Sequence, residues 1–146
     1  MYLRKKKYIG ANYEWNKVTG IVDIYRDGEQ VPISLNKIVN IEEAAGYWRK
    51  ANAIHKWFVD NVQEGVDDCK EYYVPEGKLK ELLSICKEIS KNHDKAEELL
   101  PTQMGFFFGS TDYDEWYFED IDNTIKIIEN VFKDNDYSDI YYQSSW

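Results

Sequence analysis

Two groups of residues have the types and spacing to do chemistry. Trp48, Arg49, Asn52, His55 and Lys56 recur at helical intervals, so a helix through them sets all five along one side. An indole plane, a guanidinium fork and neutral hydrogen-bonding groups in one stripe suit a small planar or phosphorylated ligand. The competing explanation is that Trp48 and His55 pack into the core while Arg49 and Lys56 are solvated. The second group is Gly109-Ser110-Thr111 with Tyr113 and Trp116, at the start of an expected helix. Free N–H groups and hydroxyls at a helix N-terminus hold anions, although a capped helix after a buried strand explains the same residues. Pairing of the C-terminal segment with Phe106-Phe107-Phe108 would bring Tyr142 and Gln143 to this region. The expected ligand-binding set is therefore Trp48, Arg49, Asn52, His55, Ser110, Thr111, Tyr113, Trp116, Tyr142 and Gln143.

Other chemistries find little support. Zinc needs three or four convergent ligands, and the chain has only His55 and His93, on different expected elements. Asp112, Asp114, Glu115, Glu119, Asp120 and Asp122 cluster, but their spacing lacks the calcium-loop pattern and fits helix capping and a favourable helix dipole. Phe108-Gly109-Ser110-Thr111-Asp112 is not a GxSxG elbow, and no GxxxxGK[ST] loop occurs. Cys69 and Cys86 form neither a CxxC motif nor a disulfide framework; Cys86 reads as a buried small hydrophobe. The expectation is no catalytic residue, no resident metal and no cofactor.

The elements that must position these residues read as α+β. Tyr2 to Ile9 and Ile21 to Tyr25 have strand character, and Asp27-Gly28 turns the chain into Val31-Pro32-Ile33 as a hairpin. Asn12 to Asn16 is a further short strand or a loop. From Ile41 to Val62 apolar residues recur every three or four positions, which predicts a long central helix ending near Gly65. Glu71 to Val74 is a brief strand. Pro75 opens a second helix with Leu79, Leu82, Leu83, Cys86 and Ile89 as its apolar stripe. A short helix over 94–100 stops at Pro101, Phe106-Phe107-Phe108 reads as a buried strand, and a last helix runs from about Asp114 to Phe132. Its core-facing side is expected to be Trp116, Ile121, Thr124, Ile125, Ile128 and Phe132, and a closing strand follows at the C-terminal end. Strands, then helices, then isolated strands favour α+β over a βαβ repeat. The whole chain, 1–146, is expected to be one domain.

Composition bounds the partners. With 43% hydrophobic and 16% aromatic residues the chain is too apolar to be disordered. Its formal charge of -9 repels a phosphate backbone, so no nucleic-acid polymer is expected. The basic run Arg4-Lys5-Lys6-Lys7 reads as a solvated edge strand protected by its lysines. It also interrupts the only N-terminal apolar stretch, and no membrane partner or leader is expected. Exposed aromatics and strand edges would serve a homodimer.

Several strings resemble one family. Gly46-Tyr47-Trp48-Arg49-Lys50-Ala51-Asn52-Ala53-Ile54-His55-Lys56-Trp57-Phe58, Leu99-Leu100-Pro101-Thr102-Gln103, Gly105-Phe106-Phe107-Phe108-Gly109-Ser110, Tyr113-Asp114-Glu115-Trp116-Tyr117 and Tyr141-Tyr142-Gln143-Ser144-Ser145-Trp146 are similar to segments of small bacteriophage and prophage proteins. Many of those begin Met-Gly-Leu-Asp-Met-Tyr-Leu, whereas this chain starts at Met1-Tyr2-Leu3. The resemblance implies a phage origin and a cytoplasmic place of action in the infected bacterial host, and it assigns no catalytic residue. The expectation is thus an accessory protein that counters host defence by non-catalytic sequestration of a small nucleotide-like immune signal. Two alternatives stand beside it: a protein-binding inhibitor of a host defence enzyme, and an enzyme that degrades the signal with His55 or an acidic residue near Asp112 as base.

Overall fold

The structure, a computed structural model, describes residues 1–10, 21–33, 37–105, 110–134 and 138–145. In chain order these form strands β1 (Tyr2–Tyr8), β2 (Ile24–Arg26), β3 (Glu29–Val31) and β4 (Asn40–Tyr47), then helix α1 (Asn52–Asn61) and strand β5 (Glu71–Tyr73). Helices α2 (Glu76–Lys91), α3 (Ala96–Leu99) and α4 (Glu115–Lys133) follow, and β6 (Asp139–Gln143) closes the fold. The α+β class expected from the sequence is the class observed. The expected strands at Asn12–Asn16 and Phe106–Phe108 lie outside the described residues. The C-terminal strand β6 has β1 on one edge and β5 on the other, so Tyr142 and Gln143 pair there and not where the sequence reading placed them.

Four strands form an antiparallel sheet in the order β4-β1-β6-β5. The period of two sends Leu3 and Lys5 of β1, with Ile140 and Tyr142 of β6, inward, where all four are buried. The outward side chains form a charged lattice: Arg4 lies 3.2 Å from Glu42 and 3.5 Å from Glu71, and Lys6 pairs with Glu71 and Glu42. Lys6 also sits over the Tyr141 ring, 4.6 Å from its centroid. The basic run is therefore central, not an edge. Glu42 and Glu43 of the adjacent β4 and Glu71 of β5, beyond β6, match its charges, and the buried Lys5 reaches Asp134 at 2.5 Å.

The largest departure from the sequence reading is at residues 40–51. The helix expected from Ile41 begins only at Asn52, and Asn40 to Tyr47 is the edge strand β4. Ile41, Ala44, Ala45 and Trp48 are spaced as on a helix by coincidence. An edge strand buries little, and an irregularity opposite Leu3/Arg4 shifts its register, so alternation is weak. Gly46 is the residue that betrays the strand. A Cβ there would lie 2.4 Å from Ile127 Cγ2, so helix α4 can approach β4 only because the side chain is absent.

Elsewhere the spacing holds. Leu79, Leu82, Cys86 and Ile89 are the buried stripe of α2. On α4 the buried side is Tyr117, Ile121, Thr124, Ile127, Ile128 and Val131; Tyr117 takes the inward place expected of Trp116, which is 74% exposed. The short helix over 94–100 appears as a 3-10 turn, His93–Lys95, running into α3. Asp27-Gly28 turns β2 into β3 with φ of 54° and 85°, conformations that Asp and Gly tolerate. Val22, Ile24, Val31 and Ile33 of that hairpin are exposed. No described helix is long and apolar enough to cross a membrane.

Candidate functional site

A cleft of about 260 Å³ opens where the loop before α1 meets the first turns of α4. Arg49, Lys50, Asn52, Ala53 and Ile54 line one wall; Asp112, Asp114, Trp116, Glu119, Asp120 and Ile121 line the other, with Thr102 and Ser110 also lining it. The first wall is electropositive for a structural reason. Helix α1 has Ala51 at its N-cap, no side chain capping it and no acidic residue in its first turn. Its first backbone bond runs from the His55 N–H to the Ala51 carbonyl. The N–H groups of Asn52, Ala53 and Ile54 therefore have no partner among the described residues, and they carry the positive end of the helix dipole. Arg49 and Lys50 are exposed beside them, and neither makes an ion pair among the described residues. Lys50 is held at φ 59°, a left-handed conformation costly for a side chain with a Cβ, which turns the chain into α1.

The acidic wall is partly committed. Asp114 is the N-cap of α4 and accepts the Tyr117 N–H at 3.1 Å, as the capping reading of the cluster expects. Ser110 Oγ donates to Asp112 at 2.9 Å and accepts the Asp112 N–H at 3.0 Å. Asp120 is different: it is half-buried, and its carboxylate has no hydrogen-bond or ion-pair partner among the described residues. Burial, then the charges of Glu119 and Asp114, push its pKa up to about 6. Trp116, one turn before Asp120 on the same side of α4, leaves its indole face open at the rim.

The sequence-derived site residues separate into four places. Arg49, Asn52, Ser110 and Trp116 line the cleft. Asn52 helps build it: its amide donates to the Gln103 carbonyl at 2.5 Å and accepts the Gln103 N–H at 2.6 Å. That pair of bonds mimics a backbone bridge and ties the 101–105 segment to α1. Thr111 and Tyr113 fasten the same segment, through the Thr111 carbonyl that accepts Thr102 Oγ1 and the Tyr113 hydroxyl that accepts the Thr102 N–H.

Trp48, His55 and Tyr142 are core residues, each with 1% exposure or less. Trp48 and His55 share no helix face, because Trp48 precedes α1. The indole N–H of Trp48 donates to Thr124 Oγ1 at 2.8 Å. His55 Nδ1 lies 2.7 Å from the Tyr142 hydroxyl and Nε2 lies 3.1 Å from Asp67, while Phe58 stacks on the Tyr142 ring at 3.9 Å. Burial lowers the His55 pKa despite Asp67. Gln143 lies on the outer sheet face, where it binds Arg4 and the Cys69 carbonyl. Sequence reasoning missed Lys50, Thr102 and the separate standing of Asp120. Its available signal was an acidic residue four positions after a tryptophan at a helix start.

Comparison with protein-family models, with curated proteins and with solved structures returns no match.

Proposed function

We propose that the protein binds a small nucleotide-like ligand in the cleft between α1 and α4. The observation that carries this reading is the cleft's polarity: N–H groups without a partner among the described residues, with Arg49 and Lys50, on one wall, and carboxylates with an exposed indole on the other. A phosphate suits the first wall, where a helix N-terminus and a guanidinium act together. A base can stack on Trp116 and direct its donors toward the acidic wall. The volume, about 260 Å³, suits a mononucleotide-sized ligand more than a long oligonucleotide.

Four strings that carry the phage resemblance, one of them about forty residues before the other three, supply this cleft: 46–58 gives Arg49, Lys50 and Asn52, 99–103 gives Thr102, 105–110 gives Ser110, and 113–117 gives Asp114 and Trp116. In the phage setting that the resemblance implies, binding without turnover sequesters a nucleotide immune signal of the bacterial host. Calorimetric titration with cyclic nucleotides and ADP-ribose derivatives tests the reading. The expected result is stoichiometric binding that Arg49→Ala weakens, with the ligand recovered chemically unchanged. A folded protein that binds none of them refutes it, and recovery of a cleaved product replaces sequestration with degradation.

The exposed β2–β3 hairpin favours inhibition of a host protein as a second reading. Val22, Ile24, Val31 and Ile33 share one face of the ribbon, and a lone two-stranded hairpin is marginal in water. A stoichiometric protein captured from host lysate, and lost on Ile24→Asp, is the outcome that supports it.

A further inference from the structure

The proposed ligand needs a group that reads its non-phosphate end, and one carboxylate of the cleft is both half-buried and without a partner among the described residues. Of the carboxylates on the acidic wall, Asp114 is engaged as the α4 cap and Asp112 is engaged with Ser110. Glu119 is exposed to solvent, where a hydrogen bond to a ligand competes with water. Asp120 is the half-buried one, it lines the cleft, and both its oxygens lack partners among the described residues. It belongs to the same helix side as Trp116, one turn further along, so a ring stacked on the indole brings its edge toward this carboxylate.

Resting on the nucleotide reading of this cleft, we propose that Asp120 is its specificity-determining residue, accepting a pair of N–H or O–H donors from a nucleotide whose phosphate lies at the α1 N-terminus. A carboxylate offers two acceptor oxygens and no donor when ionised, so it matches adjacent donors and repels adjacent acceptors. A nucleotide can present such a pair from two sources. The guanine edge carries an N–H beside an amino group, and the ribose carries two neighbouring hydroxyls. Adenine offers its amino group beside a ring nitrogen acceptor and gives a carboxylate only one good bond. The raised proton affinity of Asp120 has a counterpart here: donors from a ligand repay the cost of holding a charged carboxylate in a half-buried place.

The experiment measures affinities of wild type, Asp120→Asn and Arg49→Ala for GMP, AMP, 2′-deoxy-GMP and guanosine by calorimetry above neutral pH, with circular dichroism confirming each fold. For wild type, a base-edge contact shows as GMP and 2′-deoxy-GMP both binding more tightly than AMP. A ribose contact shows as GMP and AMP alike, both tighter than 2′-deoxy-GMP. In either case Asp120→Asn, which replaces one acceptor by a donor, lowers affinity for the preferred ligands by about tenfold or more and flattens the preference. Arg49→Ala lowers affinity for every phosphate-bearing probe and leaves guanosine unchanged. If the nucleotides bind wild type and Arg49→Ala weakens them, yet Asp120→Asn retains the wild-type affinities and order, the role of Asp120 is overturned and the nucleotide reading stands. If none of these probes binds folded wild type, the role of Asp120 is overturned, and the nucleotide reading falls with it when the cyclic nucleotides and ADP-ribose derivatives also fail to bind.

Discussion

Replacing Asp120 by asparagine should make this protein more stable, and only above a definable pH. The carboxyl has a pKa of about 6 in the folded chain against an ordinary value of 3.8. That difference of about two pH units corresponds to at most about 3 kcal/mol at 1.36 kcal/mol per unit. Asp120 is only half-buried, and solvent screening brings the figure to roughly 1–2 kcal/mol. The folded state holds the proton more tightly than the unfolded state. The stability tied to Asp120 is therefore fully present below 3.8, declines as pH rises from there to about 6, and is gone above. At neutral pH the wild type carries a partly desolvated charge that asparagine, of nearly the same shape, does not.

Thermal melts of the two proteins in a matched pH series measure this directly. Asp120→Asn should melt higher at neutral pH by about 3–6 °C, using the usual conversion for a chain of this size. The gap should close as pH falls, and it should be near zero by about pH 4. Comparing the two proteins at each pH cancels the titration of the many other carboxylates. A gap that is absent, reversed or constant across the series refutes the argument, because each contradicts burial of an unpartnered charge. Gain of stability together with loss of ligand affinity is the pattern expected of a group kept for binding.

Three further substitutions test the frame around the cleft. Gly46→Ala places a methyl 2.4 Å from Ile127 Cγ2 and should cost about 1–3 kcal/mol in urea denaturation, with partial recovery on adding Ile127→Ala. Asn52→Ala removes both bonds to Gln103; it should cost about 1–3 kcal/mol and raise protease susceptibility near residues 101–105 before the rest of the chain. Tyr142→Phe keeps the ring stacked on Phe58 but strips the hydroxyl from the buried His55, costing about 1–3 kcal/mol. Since burial depresses the His55 pKa below 6.5, the stability it contributes is present above 6.5 and lost as pH falls below it. In the Asp120→Asn background, where the opposing slope is removed, the urea midpoint should drop as the medium is acidified through that range.

The parts of the fold that are legible in the sequence are those in which local chemistry and burial agree. Asp27-Gly28 requires the backbone that its turn adopts, and the stripes of α2 and α4 follow from buried residues three and four apart. Strand β4 is illegible because its neighbours, not its own pattern, decide it: β1 supplies a partner, and α4 lies close over Gly46. A helical count through Trp48 and His55 then gave a binding stripe from residues that the fold places in the core. Arg49, Asn52, Ser110 and Trp116 were recognisable by type, since an exposed aromatic and a guanidinium near a helix start carry a chemical meaning at any spacing. Asp120 was not separable from its acidic neighbours. Its distinction is that Ser110 and the Tyr117 N–H occupy Asp112 and Asp114 while Glu119 faces solvent, and that is a fact of three dimensions.

Three local costs meet at this cleft, and their coincidence is harder to explain than any one of them. Helix α1 lacks both a capping side chain and an acidic first turn, a loss of about 1 kcal/mol against a capped helix. Helix α2 also lacks a side-chain cap but has Glu76 in its first turn, and α4 has Asp114, so the deficit is particular to α1 among the longer helices. Lys50 adopts the left-handed region, at about 1–2 kcal/mol. Asp120 adds a half-buried charge without a partner among the described residues. A sequence under no constraint but stability removes each by a single substitution: Ala51→Ser, Lys50→Gly and Asp120→Asn. Departures from local rules tend to collect where a site needs them. One ligand of the proposed kind relieves the first and the last together, its phosphate completing the N–H groups and its donors satisfying the carboxylate. The triple substitution should therefore be more stable than wild type in the absence of ligand and less stable at saturating ligand. A crossing of the two stability curves as ligand is added is the signature that separates a binding site from a run of unrelated imperfections.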